Sequence, residues 1–480
     1  MKNLGILAPV FSLVGRQGIG DFGKEAYEFV DVLAKNKVSI WQILPMNPVG
    51  YGNSPYQPYS SYAGDEVYIS GQGLYEMGLI NSLPRKITTD HVDYEAVRNI
   101  KQRMLKRAYI AFLQREDLQD DYNQFVKETS WLETYANFIT LKKYNYLSCW
   151  LEWPKKHKEW IEKKEYDIEK HRETIEYEKF IQYMFYKQWF ALKEYANAKG
   201  IQIVGDIPIY VGIDSADVWA NKNTFLLDEH HYPTFIAGVP PDYFSATGQR
   251  WGNPLYDWDY LEENNFQFWI ERLAWSSKLF DQIRIDHFRG FDTYWKIPAS
   301  SPTAILGSWH EAPGYALFDT IKEQLPTISI VAEDLGLLRQ EVLDLRDHYH
   351  LPGMEIIQFV LDLDSEEIRK EEKRNVYVYS GTHDNNTLLG FLEECTEKQR
   401  KNLEKQYKDY NGKTIYDKIM NSLLHSLQDT VIFPLQDVLC LNQETRLNTP
   451  GTVGAPNWQW KLKELNSFEI HLKTLLEEIL

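Results

Sequence analysis

Residues 282–290 read Q-I-R-I-D-H-F-R-G. The apolar alternation runs up to Asp286 and then gives way to charge, with Arg284, His287 and Arg289 around the carboxylate. That pattern predicts a strand leaving a core and entering a polar cleft. An Asp beside two guanidiniums is expected to have a low pKa and stay ionised, which suits a nucleophile or an electrostatic stabiliser. A salt-bridged strand end alone would produce the same pattern, so the rest of the chain has to decide.

Similar buried-strand signals recur at 4–10, 38–44, 201–206, 329–333, 354–360, 376–380 and 430–434, making eight with 282–286. They are apolar or β-branched, and long helix-like spans separate them. Strand and helix signals in alternation imply parallel βαβ units, and eight of them point to a closed (β/α)8 TIM barrel. The whole chain, 1–480, is read as one barrel domain with two interruptions. Residues 49–199 are expected as a mainly helical inserted subdomain, with amphipathic runs at 93–114 and 121–146 and a charged run at 157–199. Residues 211–262 are expected as a loop-rich insertion. A long loop that carries aromatic residues is better read as a lid or binding loop than as filler.

Composition narrows the partners. The net charge of −17, from 52 basic and 69 acidic residues, argues against nucleic acid or an anionic membrane and favours a neutral or cationic ligand. Cys149, Cys395 and Cys440 have no metal spacing and suit a reducing, cytoplasmic setting. The apolar run 4–14 has the look of a short signal peptide, but Pro9 and Ser12 interrupt it and no small-residue cleavage site follows. It is expected to form the first strand. No run of apolar residues is long enough to predict a membrane span.

In a barrel of this kind chemistry sits where the strands finish. The third ends in G-D-I-P-I-Y-V (205–211), the fourth in R-I-D-H-F-R-G (284–290), the fifth in V-A-E-D-L-G (331–336) and the seventh in Y-S-G-T-H-D-N-N (379–386). Four strand ends therefore bring carboxylates to one rim, and clustered acids repel unless they have work to do. Three carboxylates without a thiol or phosphate loop suit cleavage of a glycosidic bond. Glu333 follows the apolar run 328–332 and has no nearby cation before it, so it is the candidate acid. Asp286 is the candidate nucleophile, and Asp384 is left for substrate hydroxyls. A metal hydrolase is the competing enzyme reading, because His287 and His383 adjoin acids. However, the one H-x-H spacing, His348 to His350, precedes the sixth strand on the opposite rim. No metal or cofactor is expected. Nucleotide-binding glycine motifs and the G-x-S-x-G of serine hydrolases are missing.

R-I-D-H-F-R-G, A-E-D-L-G and G-T-H-D-N resemble the corresponding strand ends of the α-amylase clan. Four further stretches narrow the resemblance to the 4-α-glucanotransferases, also called amylomaltases or disproportionating enzymes. They are S-P-Y-Q-P-Y-S (54–60), 205–211, G-V-P-P-D-Y-F-S-A-T-G-Q-R-W-G-N-P (238–254) and N-T-P-G-T-V-G (448–454). The resemblance implies retaining transfer of 1,4-α-glucan segments between maltooligosaccharides, or from them to glucose. It makes Asp286 the nucleophile, Glu333 the acid/base and Asp384 the transition-state stabiliser. It implies substrate contacts from Tyr59, Asp206, Trp251, Arg284, His287, His383 and Asn457, with an aromatic lid of Tyr243 and Phe244. Two stretches depart from the family pattern: the first loop (8–21) and an Ala-Pro pair, Ala455-Pro456, before Asn457-Trp458. The trio does not separate transfer from hydrolysis, because both pass through the same intermediate. A lid that excludes water favours transfer. A retaining α-glucan hydrolase and an inactive glucan-binding protein remain the alternatives.

Overall fold

The computed structural model describes residues 2–50, 52–241, 245–367 and 371–477. Twelve strands are present among them: β1 (Asn3–Leu7), β2 (Ile40–Gln42), β3 (Gln202–Pro208), β4 (Phe235–Val239), β5 (Gln249–Pro254), β6 (Gln282–Asp286), β7 (Thr293–Pro298), β8 (Ser308–Glu311), β9 (Ile330–Ala332), β10 (Gly353–Ile356), β11 (Val376–Tyr379) and β12 (Thr430–Pro434). Eight of them form one parallel sheet in the order β10-β11-β12-β1-β2-β3-β6-β9. Its outer strands meet where the Ala332 N–H donates to the Pro352 carbonyl at 2.8 Å. The sheet is thus the expected (β/α)8 barrel. Side chains such as Ile6, Ile203, Val204 and Ile432 are fully buried, which is why these strands read as unbroken apolar runs.

Several expected boundaries move. The apolar run 354–360 splits: β10 stops at Ile356, opposite Tyr379, and Ile357–Val360 turn into a short helix at the rim. The run 4–14 forms β1 and then a 3₁₀ turn, Val10–Ser12. Val10–Ser12 are as buried as the strand before them, whereas Ile357–Val360 emerge at the rim with Phe359 exposed, so an apolar run marks neither the end of a strand nor uniform burial.

Between β2 and β3 the chain is mainly helical: Tyr94–Phe112, Glu116–Glu128, Leu132–Tyr144 and Arg172–Ala198 are its longest helices. Asp93 caps the first by accepting the Ala96 N–H at 3.0 Å. The run 121–146 is two helices, interrupted around Trp131, whose ring packs edge-on against Tyr186 and Trp275. The helix Arg172–Ala198 docks on the barrel loops. Gln182 bonds both backbone groups of Gly64, and Trp189 Nε1 donates to the Leu279 carbonyl at 3.2 Å.

Residues 211–262, expected as loop, contain β4 and β5. These pair antiparallel with each other, and β4 pairs with β7, giving a second sheet in the order β5-β4-β7-β8. The two strands escape notice because β5 is only partly buried and polar, and the other partner of β4, the strand β7, lies far along the chain.

Candidate active site

The register of β3 and β6 sets Asp206 directly opposite Arg284. Arg284 is buried, and its Nη1 donates to both Asp206 oxygens at 2.7 Å while Nη2 donates to Asp286 Oδ1 at 3.0 Å. One guanidinium fork therefore binds two carboxylates from adjacent strands. Burial works against the Arg284 charge, but Asp206 and Asp286 more than offset it and hold the guanidinium well above its usual range. Burial pushes the Asp206 carboxyl up, and Arg284 opposes that push.

After Asp286 the chain turns through His287, which sits in the left-handed region at φ 54°. That turn points the His287 N–H at Glu333 Oε2, 2.7 Å away. The Leu335 N–H donates to the other oxygen at 3.3 Å, and the Phe288 N–H reaches the Glu333 carbonyl at 3.0 Å. Glu333, one residue beyond β9, is thereby tied to the end of β6. Burial, and then the charge of Asp286, push its carboxyl up to about 8 despite Arg284 and the His287 amide. The half-buried His287 ring stands perpendicular to Trp251, with centroids 4.9 Å apart. Burial lowers its imidazole to about 4, so it is neutral at pH 7.

Asp384 lies past β11. Its Oδ1 accepts from Asn448 Nδ2 at 2.6 Å, and its carbonyl accepts from Arg446 Nη2 at 2.6 Å. Burial pushes the carboxyl up, but His383, Asn448 and Arg284 outweigh burial and hold it well below the usual carboxylate range. His383 Nε2 lies 2.8 Å from the Tyr56 hydroxyl, which also donates to Asp206 Oδ2 at 2.8 Å. The Tyr56 and His383 rings stack at 5.1 Å. A chain of contacts thus runs from Asp384 through His383, Tyr56, Asp206 and Arg284 to Asp286.

These groups open on a cleft of about 470 Å³ lined by, among others, Tyr56, Tyr210, Trp251, Asp286, Asp384 and Trp458. Of the expected residues, Asp206, Arg284, Asp286, His287, Glu333, His383, Asp384 and Trp251 come together here. Tyr59 does not line the cleft; its ring lies under Lys142 Nζ at 4.6 Å. Asn457 is buried and uses its amide on its own loop, accepting from the Thr449 N–H at 3.0 Å and donating to Thr452 Oγ1 at 2.8 Å. It follows the Ala455–Pro456 bond, which is cis. Tyr243 and Phe244 lie outside the described residues. Tyr56, Arg446, Asn448 and Trp458 were not foreseen, although Tyr56 and Asn448 stand inside the motifs at 54–60 and 448–454. Among the described residues no three His, Cys, Asp or Glu side chains are grouped to hold a metal ion.

The sequence profile of one family, described as 4-alpha-glucanotransferase, matches residues 8–467. The chain is 40% identical over 480 residues to the 4-alpha-glucanotransferase of Streptococcus pneumoniae serotype 4, covering 96% of this chain and 94% of that protein. It is 41% identical over 476 residues to that of Thermus thermophilus, covering 96% and 95%. Its fold superposes on the amylomaltase of Streptococcus agalactiae, solved in complex with acarbose, with a TM-score of 0.94 at 38% identity, covering 100% of this chain and 98% of that one. By profile, identity and fold over nearly its full length, this chain belongs to the 4-alpha-glucanotransferase family.

Proposed function

We propose that the chain transfers 1,4-α-glucan segments from a maltooligosaccharide donor to the 4-hydroxyl of glucose or another glucan, with retention of configuration. In this reading Asp286, oriented by Arg284, attacks the anomeric carbon. Glu333 gives its proton to the departing glycosidic oxygen, and the glycosidic bond breaks as the Asp286 ester forms. Esterification removes the Asp286 charge, one of the two main causes that push Glu333 up. Glu333 is then a carboxylate of lower pKa, suited to accept the proton of the acceptor hydroxyl as that oxygen displaces Asp286. Asp384, ionised and fixed by Asn448, faces the positive charge that develops on the sugar ring. The observation that carries this is the placement of Glu333, bonded at 2.7 Å to the turn that follows Asp286, where burial and the Asp286 charge push its carboxyl up.

Transfer over hydrolysis is supported by β5, whose Gln249, Arg250, Trp251 and Asn253 line the cleft, with Trp251 against His287. Three unpaired cysteines support a reducing, cytoplasmic compartment. No described helix is long and apolar enough to cross a membrane.

The test is incubation with maltotriose alone at neutral pH, counting reducing ends and resolving products by length. Longer maltooligosaccharides plus glucose at a constant number of reducing ends are expected. Rising reducing ends without longer products would make the chain a retaining α-glucan hydrolase. No turnover would leave a glucan-binding protein.

A further inference from the structure

Residues 380–388 form the turn that carries His383 and Asp384, and both its ends are held by side chains from neighbouring strands. Asp437 lies just past β12, in the short helix Leu435–Val438, and is buried. Its Oδ2 accepts from Ser380 Oγ at 2.5 Å and its Oδ1 from the Leu388 N–H at 2.7 Å. Gln358 lies just past β10, in the turn Ile357–Val360. Its Nε2 donates to the Ser380 carbonyl at 3.0 Å and to the Asn386 carbonyl at 2.9 Å. β10 and β12 flank β11 in the sheet, so the two side chains approach the turn from opposite sides. Within the turn, Asn385 Oδ1 accepts from the Thr382 N–H at 2.9 Å and from its hydroxyl at 2.8 Å. Gly381 leaves the room this needs, because a Cβ there would stand 2.9 Å from Gln358 Nε2.

Neither Asp437 nor Gln358 is among the residues that line the cleft. A buried carboxylate is costly unless its oxygens are fully used, and here each oxygen holds one end of the same turn. Burial pushes the Asp437 carboxyl up to about 6, against the Ser380 and Leu388 donors. The Tyr416 hydroxyl also donates to the Asp437 carbonyl. At pH 7.5 the carboxyl is therefore available to accept both bonds.

We propose that Asp437 and Gln358 are positioning residues, a two-sided clamp that sets where Asp384 meets the sugar; this rests on the role given to Asp384 above. A displacement of about 1 Å at a reacting group costs on the order of a hundredfold in rate. Steady-state kinetics on maltotriose at pH 7.5 would compare Gln358→Ala, Asp437→Ala, Asp437→Asn and Asp384→Ala, with thermal midpoints measured in parallel. Gln358→Ala and Asp437→Ala are expected to lower kcat by about tenfold or more, with KM moving by less than about threefold. Asp437→Asn is expected to recover most of the loss, since its carbonyl still accepts the Leu388 N–H and its amide can donate to Ser380 Oγ. Gln358 is only half-buried, so its alanine variant supplies the test if Asp437→Ala does not fold.

A folded Gln358→Ala or Asp437→Ala enzyme with kcat within about twofold of the parent, beside an inactive Asp384→Ala, would overturn the clamp and leave the proposed chemistry standing. A loss shared between kcat and KM and following the fall in thermal midpoint would overturn it too, since that marks a general loss of structure. An active Asp384→Ala enzyme would instead remove the role of Asp384 on which the clamp depends.

Discussion

Asp286 ends β6 and Glu333 follows the adjacent β9, and the proposed mechanism gives them opposite proton requirements from which a pH dependence follows. In the proposed mechanism Glu333 is protonated for the first step, so kcat/KM is expected to fall as pH rises through about 8. Glu333→Gln should remove that limb and lower kcat by about 10²–10⁴-fold. The same residue bears on stability. Its folded pKa stands above that of an unfolded glutamate, so the folded state favours the protonated form. The resulting stability is complete below about pH 4 and is lost as pH rises towards 8. Calorimetry should show Glu333→Gln gaining thermal midpoint over the parent between pH 5 and 8; a constant difference across that range would contradict the shift. Tyr56 and Tyr59 separate just as cleanly. Tyr56→Phe loses the hydroxyl that joins Asp206 and His383 and should cost about tenfold in kcat/KM, whereas Tyr59→Phe should stay within about twofold. The reverse result would put the wrong tyrosine at the site. The three acids could be found in sequence because each follows a recognisable strand. The two tyrosines stand three residues apart in one irregular loop with no periodicity, so only contacts distinguish them. Asn457 posed the same problem, because a loop residue can face the cleft or brace its own loop.

The pairing of β3 with β6 does more than align strands, because it brings Asp206 and Arg284 face to face inside the barrel. Removing Arg284 leaves the buried Asp206 carboxylate without its cation and should cost about 3–5 kcal/mol, whereas removing Asp206 leaves Arg284 still paired with Asp286 and should cost less. Removing both should cost less than the sum, because the buried Asp206 charge goes with its partner and only the partly exposed Asp286 is left without Arg284. Urea unfolding of Asp206→Ala, Arg284→Ala and the double variant measures this, and strictly additive losses would show that the pair is not coupled. The eight barrel strands were evident because both faces of a parallel sheet are buried. Their ends were less so: β2 is only Ile40–Gln42 inside a longer apolar run. The second sheet was not evident at all. β8 (Ser308–Glu311) is exposed along its length, and pairing of β4 with β7 joins Phe235 to Pro298 across more than sixty residues.

The helices between β2 and β3 share one continuous core with the barrel. Phe180, Tyr186 and Trp189 pack in the same cluster as Ile203 and Ile283. The buried Lys101 on the first of those helices bonds Asp21 of the first barrel loop at 2.7 Å. Helix melting and loss of activity should therefore share one midpoint on heating. Lys101→Met, which strands the Asp21 charge, should cost about 3–5 kcal/mol of stability and lower the two midpoints together. A separate, earlier helical transition would show that the inserted helices fold apart. Strand spacing revealed that residues intervene between β2 and β3, but contact between surfaces so far apart in the chain leaves no local pattern. The closure of the ring has a consequence for biosynthesis. Asn3 pairs with Thr430, so β1 leaves the ribosome with β2 soon beside it but waits for its other neighbour. At about 5–20 residues per second that wait lasts roughly 20–90 seconds, with a buried-type apolar edge open to other chains throughout. The nascent protein is thus most prone to misassociate before its last strand appears, and holdase chaperones would have their greatest effect on yield in that interval.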